Sequence, residues 1–240
     1  MNAFLAKVYR REMFFPGWLG ALINPFFFAR RGLARAMRRH AAALRGRLLD
    51  VGCGSKPYAT LFEVEAYVGL DIDSETTRRI GVADYFYDGN RFPLPDTAFD
   101  SVLCNQVLEH VFNPDEFLRE VGRVLKPGGK LLLTVPFLWD EHEQPYDYAR
   151  YSSFGLRALL QKNGFAVVSQ EKLGADAAIV FQVANAYVFK VTRHWPGPLR
   201  ILLTTPVFAA SNVLGLIAAA VLPQNSDLFL DNIVLAEWRP

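Results

Sequence analysis

The residues most able to do chemistry are carboxylates and imidazoles placed at the ends of apolar runs. Asp50 sits in Leu48-Leu49-Asp50-Val51, and Gly52-Cys53-Gly54-Ser55-Lys56-Pro57 follows it directly. Gly52 and Gly54 permit a left-handed backbone and leave no Cβ between the chain and a ligand. Pro57 suits the first turn of a helix, so the stretch predicts a strand, a tight turn and a helix start with N–H groups aimed at whatever docks there. Asp71 ends a second apolar run, Tyr67-Val68-Gly69-Leu70-Asp71, 21 residues after Asp50. At about that separation a nucleotide-type fold places an acid on ribose hydroxyls. An ionised carboxylate accepts both hydroxyl hydrogens and penalises a ligand lacking either.

A second group lies in Pro136 to Ser152, which carries His142, Tyr146, Asp147, Tyr148 and Arg150. An imidazole there suits removal of a proton from a hydroxyl, with Asp147 orienting it or binding substrate. The same two residues could instead only hydrogen-bond and pin the loop. Glu109-His110 reads as a pair that fixes a turn or lines a pocket. Cys53 and Cys104 close apolar runs without metal-ligand spacing. They read as lining groups in a reducing compartment, and no metal is expected.

Alternating elements must position these groups. Strands are expected over residues 48–51, 67–71, 99–105, 130–135 and 165–169, with a weaker strand region opening at Ile80 and ending near Asp88-Gly89. Asn113-Pro114-Asp115-Glu116 predicts a capped helix start, and Lys126-Pro127-Gly128-Gly129 its stop. Ser153 to Lys162 predicts another helix. Buried strands alternating with helices indicate a doubly wound, mostly parallel α/β sheet.

Four stretches then resemble the class I S-adenosylmethionine-dependent methyltransferases: LLDVGCG at 48–54, VGLDI at 68–72, FPLPDTAFDSVLCNQVLEHV at 92–111 and LKPGGKLLLTVP at 125–136. The resemblance covers about residues 46–171, with Asp227 to Trp238 as the last strand, and implies a seven-stranded Rossmann-like methyltransferase sheet. It implies S-adenosyl-L-methionine as cofactor. Asp50, Gly52 and Gly54 would hold its methionine part and Asp71 both ribose hydroxyls. Asp88 and Gly89 would recognise the adenine, and Asn105 would lie beside the methyl. A third glycine would fall at Lys56 or Pro57, and its absence counts against a nicotinamide oxidoreductase. The run from Pro136 to Ser152 resembles a subgroup associated with bacterial cell-surface glycan biosynthesis. That implies O-methylation of a small or lipid-linked glycan-type acceptor. Methylation of a quinone or other lipophilic metabolite, or a non-catalytic cofactor-binding protein, are the alternatives.

Composition adds a membrane question. The 240-residue chain is 51% hydrophobic with a net charge of +2. Residues 1–47 hold ten Lys/Arg against Glu12 alone, a local charge of +9 that leaves −7 for the rest. A basic arm rich in phenylalanine favours a membrane surface over nucleic acid as partner. Residues 13–28 are uncharged between arginine pairs, and read as an interfacial segment or an arm packed on the domain. Ala177 to Phe189 and Ile201 to Ser226 are uncharged too, the second long enough to span a bilayer. A chain returning to the sheet afterwards cannot cross once, so residues 177–226 read as a monotopic hairpin or a soluble helical cap. The expected organisation is an arm and helix at 1–45, a core at 46–174, a hydrophobic helical insertion at 175–226 and a last core strand at 227–240. The expected location is the cytoplasmic face of the membrane, peripheral or monotopic.

Overall fold

The computed structural model describes residues 3–240. In chain order the elements are α1 (Ala3–Phe14), α2 (Trp18–Ile23), α3 (Phe27–His40), β1 (Arg47–Val51), β2 (Ala66–Ile72), α4 (Glu75–Ile80), β3 (Tyr85–Tyr87), β4 (Phe99–Asn105), α5 (Pro114–Val124), β5 (Leu125–Pro136), α6 (Ser153–Lys162), β6 (Phe165–Leu173), α7 (Ala178–Val191), α8 (Gly197–Val221) and β7 (Asp231–Trp238). The chain divides into two compact units. One holds the residues through Ala36 with Leu138–Asp140 and Lys172–Leu230; the other holds Met37–Phe137, Glu141–Glu171 and Asp231–Pro240.

The larger unit is built on a seven-stranded sheet in the order β3-β2-β1-β4-β5-β7-β6. β1 pairs in parallel with β2 and with β4, and β4 with β5, while β7 runs antiparallel to β5. The strand order therefore reverses between β1 and β4, the switch point at which ligands bind in such sheets. Leu49, Val51, Leu70, Val102, Leu131 and Leu133 form the buried centre together with Phe117, Leu118 and Val121 of α5. Apolar residues in unbroken runs mark strands covered on both faces.

Three local expectations are corrected. No helix starts at Pro57: a 3-10 turn at Ala59–Leu61 fills the space. β2 already begins at Ala66, so the connection is too short for several helical turns. The region after Ile80 does not open a strand, because α4 runs to Ile80, Gly81 closes it in the left-handed conformation, and β3 begins only at Tyr85. Asn113 makes no capping hydrogen bond, although Pro114 does open α5. Its side chain faces Glu116 Oε2 at 3.4 Å, and the capping box forms instead between Ser74 and Thr77 of α4. His40 Nε2 pairs with Glu171 Oε1 at 2.9 Å.

The smaller unit is helical, and Glu12, Asn24, Gln182, Asn185 and Asn212 are buried in it. Glu12 accepts hydrogen bonds from the N–H groups of Gly17 and Gly20, both at 2.7 Å, at the start of α2. Gln182 of α7 donates to Pro25 O at 3.0 Å and accepts from Phe28 N and Ala29 N. Asn212 of α8 donates to Ala21 O and Asn24 O, both at 3.0 Å, and accepts from Asn185 at 2.9 Å. Residues 13–28 are thus held on α7 and α8 by buried amides, each with its partners. The buried residues of α8 are Thr204, Phe208, Asn212 and Gly215, one narrow stripe at helical spacing. Its wide outer face is apolar, with Ile201, Leu202, Leu214, Ile217 and Val221 exposed. Among the described residues α8 alone is long and apolar enough to cross a membrane.

Candidate active site

Parallel pairing sets the first part of the site. The registers Asp50↔Gly69 and Val51↔Leu70 bring the ends of β1 and β2 side by side. Gly52 donates its N–H to Leu70 O at 2.8 Å, and Gly54 donates to Asp71 Oδ2 at 2.9 Å. Gly52 and Gly54 have φ of 67° and 49°, a region that disfavours side chains. A Cβ on Gly52 would strike Val107, whereas one on Gly54 would meet nothing within 4 Å. The turn is therefore closed below and open at Gly54.

Both acids are buried. Asp71 also accepts the N–H of Ile72 at 2.8 Å. Burial raises its pKa, against the pull of those two backbone donors. Oδ1 and Oδ2 each hold one N–H donor, and Oδ2 also takes the weak S–H donor of Cys53 at 3.9 Å, so Oδ1 keeps a further lone pair. Asp50 accepts the phenol hydrogen of Tyr67 at 2.7 Å. Burial pushes its pKa up to about 7, while the Tyr67 bond and the Lys56 charge oppose the rise and Asp71 adds to it. Sequence reasoning missed Tyr67 and Lys56. Lys56 pairs with Asp84 at 2.7 Å, and the same Asp84 oxygen accepts Gly69 N–H at 2.7 Å. The alternation of β2 was the signal available for Tyr67, since it lies two residues before Gly69, on the same face of the strand, and Asp50 is paired with Gly69.

Asp88 and Gly89 follow β3. The Asp88 carboxylate accepts from Asn90 N at 3.0 Å and Asn90 Nδ2 at 3.2 Å, which lowers its pKa. Asn105 ends β4 and accepts Thr134 Oγ1–H at 2.8 Å, which sets the amide's orientation. Cys53 and Cys104 are buried free thiols. Burial pushes Cys53 up to about 12 and Cys104 well above its ordinary value, so neither is a ready nucleophile.

The second part joins two segments far apart in sequence. The backbone carbonyl of Glu109 accepts N–H groups from Tyr148 at 2.8 Å and Ala149 at 3.2 Å. This seats the loop after β5 on the 3-10 turn Leu108–His110. The rings of His110 and His142 then meet edge to face with centroids 4.7 Å apart. Asp147 accepts two hydrogen bonds from Arg150, both at 2.6 Å, and the backbone N–H of His142 at 2.8 Å. Its Oδ2 also lies 3.2 Å from His142 Nδ1. Burial works to raise the Asp147 pKa, but Arg150 and the His142 N–H outweigh it and hold it at about 2. Asp147 therefore both pins the loop and orients His142.

Glu109 is 0% exposed, and neither carboxylate oxygen has a hydrogen-bond partner. Burial pushes its pKa up to about 8, opposed by its own backbone N–H and by the Arg150 charge, while Asp231 and Asp147 add to the rise. His110 Nδ1 is 2.6 Å from Tyr146 O, and burial lowers its pKa. Glu109 and His110, expected to fix a turn or line a pocket, share a cluster with His142. One ligating atom from each lies within 4.8 Å of the others.

A sheet of this order, with acids at the ends of β1 and β2 and an antiparallel seventh strand, is the architecture of the class I S-adenosylmethionine-dependent methyltransferases. The chain belongs to that family: the family model described as a methyltransferase domain matches residues 26–170. The methyl donor of that family, S-adenosylmethionine, is the cofactor. The chain is 39% identical over 100 residues to the fatty-acid O-methyltransferase of Mycolicibacterium smegmatis, a match that covers 37% of this chain and 36% of the relative. It is 36% identical over 127 residues to the ubiquinone biosynthesis O-methyltransferase of Caulobacter vibrioides, covering 45% and 49% of the two chains. The chain thus spans about half or less of the length of these curated relatives. Phosphoethanolamine N-methyltransferase 2 of Haemonchus contortus, solved with S-adenosyl-L-methionine, shares the fold with a TM-score of 0.55 and 15% identity, over 96% of this chain and 59% of that one.

Proposed function

We propose that this chain transfers the methyl group of S-adenosylmethionine to a hydroxyl oxygen of a lipid-linked or otherwise lipid-borne acceptor, of the glycan type, at the cytoplasmic face of a membrane. The observation that carries O-methylation is the pair His142–Asp147, an imidazole 3.2 Å from a buried carboxylate that Arg150 keeps ionised.

The turn fits the methyl donor on its own geometry. The open space at Gly54, where a Cβ would meet nothing within 4 Å, admits a ligand against the backbone. Asp71 Oδ1 has a lone pair for one ribose hydroxyl and Oδ2 would take the second in place of the weak Cys53 S–H donor, and Gly52, Gly54 and Asp50 would hold the methionine part. Asp88 and Gly89 would border the adenine and Asn105 the methyl group. When bound, the cofactor supplies an electrophilic methyl on a sulfonium. The chain's share is to align the acceptor oxygen with that methyl, worth several kcal/mol in principle. The chain must also ease loss of the hydroxyl proton, worth roughly 10²–10⁴-fold. The Glu109–His110–His142 cluster, ordered by Asp147, serves the second task.

Membrane contact is supported by the inverted pattern of the helical unit. Amides of Gln182, Asn185 and Asn212 are inside, while Trp18, Tyr187, Ile201 and Leu202 are exposed. Exposed apolar faces of that extent mark a contact surface. A hairpin that lies in the interface fits β7, which returns to the sheet after α8. The fatty-acid and ubiquinone relatives favour one second reading, a lipophilic acceptor without a sugar.

Transfer of labelled methyl from S-adenosylmethionine into a membrane lipid extract tests the proposal. Label in an alkali-stable ether on a lipid-linked glycan is the expected result. Label only in a quinone-type lipid selects the second reading, and none in any lipid fraction refutes both.

A further inference from the structure

We infer that Glu109, His110 and His142 form a binding site for one divalent transition-metal ion, of the class taken by two imidazoles and a carboxylate, with open positions for oxygen donors. Three independent features of the cluster carry this. The donor set is one carboxylate and two imidazoles, which suits zinc, cobalt, manganese or ferrous ions rather than magnesium or calcium. The ligating atoms already lie within 4.8 Å of one another. A tetrahedral ion with bonds of about 2.1 Å needs its ligands about 3.4 Å apart. The closure needed is therefore at most about 1.4 Å, within reach of side-chain rotation by His142, which is partly exposed.

Glu109 supplies the second feature. It is a carboxylate with 0% exposure and no hydrogen bond to either oxygen. Its nearest basic atom is His110 Nε2, 3.8 Å from Oε1. A buried acid left without partners inside a native fold is rare and calls for a missing one. Arg150, the cation nearest in the loop, is already committed to both oxygens of Asp147.

The outer contacts supply the third. His110 presents Nδ1 to the carbonyl of Tyr146 at 2.6 Å, and His142 presents Nδ1 to Asp147 at 3.2 Å. Each ring therefore has one nitrogen set against a carbonyl or a carboxylate, which fixes the tautomer. That is the arrangement in which metal-ligating histidines are held. His142 would then act as a ligand, and the ion would ease ionisation of an oxygen donor in an open position. Placing the acceptor hydroxyl there rests on the function proposed above; binding of the ion does not.

The test is titration of the chelator-treated full chain with Co²⁺, read by visible absorption, with S-adenosylhomocysteine binding measured by calorimetry on the same samples. One Co²⁺ per chain is expected. His142→Ala and Glu109→Gln should each abolish the absorption band, Asp147→Asn should weaken binding by roughly 10–100-fold, and all three should keep the affinity for S-adenosylhomocysteine. Glu109→Gln preserves volume and His142 lies partly at the surface, so both variants should fold. No band with the wild-type chain, or equal uptake by His142→Ala and Glu109→Gln, overturns the site. Co²⁺ uptake without S-adenosylhomocysteine binding would leave the ion site standing and count against the methyl-donor assignments.

Discussion

The backbone N–H of Gly54 is hydrogen-bonded to Oδ2 of Asp71 at 2.9 Å. The glycine turn after β1 and the acid at the end of β2 are therefore one unit, each fixing the other. Replacing Asp71 with Ala should remove the ribose acceptor and loosen the turn together. Loss of charged hydrogen bonds of about 1.5–3 kcal/mol predicts S-adenosylhomocysteine binding weaker by at least roughly 10–100-fold. Calorimetry showing unchanged affinity would refute the ribose assignment.

Gly54→Val places a branched side chain where φ is 49° and where a Cβ now meets only open space. The cofactor should be excluded while the fold loses about 1–3 kcal/mol from backbone strain. A thermal melt and a binding titration separate the two effects, and full binding by the valine variant would show that the ligand does not lie against this turn.

Asp50 makes stability depend on pH. Its folded pKa, about 7, stands above an ordinary value of 3.8. The folded state thus holds this proton more tightly, and stability falls as pH rises from about 4 to about 7 and is level above that. Asp50→Asn should lose this dependence, gaining on the wild type by on the order of a few kcal/mol across the window. Melting curves of both proteins at pH 5, 6 and 7.5 check the sign; a constant difference would contradict it.

Asn212 donates to two carbonyls of the N-terminal arm and accepts from Asn185. Asn212→Ala should cost about 1–3 kcal/mol by leaving buried groups unpaired. Denaturant unfolding gives the number, and a loss below about 0.5 kcal/mol would show that the amide network is not holding the arm.

Ile201 and Leu202 are 67% and 71% exposed on α8. The wild-type chain should float with anionic liposomes, and Ile201→Glu combined with Leu202→Glu should leave it at the bottom with its melting temperature unchanged. Wild-type protein that does not float would sink the membrane reading.

Much of this was legible along the chain because it is encoded locally. Buried parallel strands need unbroken apolar runs, so β4 is found at its observed bounds and β1 and β2 within a residue of theirs, whereas β5 begins at Leu125, inside the stretch expected only to stop the helix, and not at Lys130. The carboxylate at the end of β2 and the glycines after β1 announce themselves by spacing. Local rules failed where two weak signals competed. Pro57 could not open a helix with β2 beginning at Ala66, and Ile80 belongs to the close of α4 rather than to a strand.

What only the folded chain decided are the meetings between distant segments. Strand and turn propensities act over a few residues and so placed Asp50, Gly52, Gly54 and Asp71 at strand ends and a turn, while the resemblance of four short stretches supplied the methyltransferase frame. The sequence could not place Glu109 and His110 against His142, because hydrogen bonds from the Tyr148 and Ala149 N–H groups to the Glu109 carbonyl close a loop of some forty residues. Nor could it show that the apolar helices α7 and α8 turn their amides inward. Which face of an apolar helix is buried depends on the partner that satisfies its polar groups, and Asn24, Asn212 and Gln182 find theirs only in three dimensions.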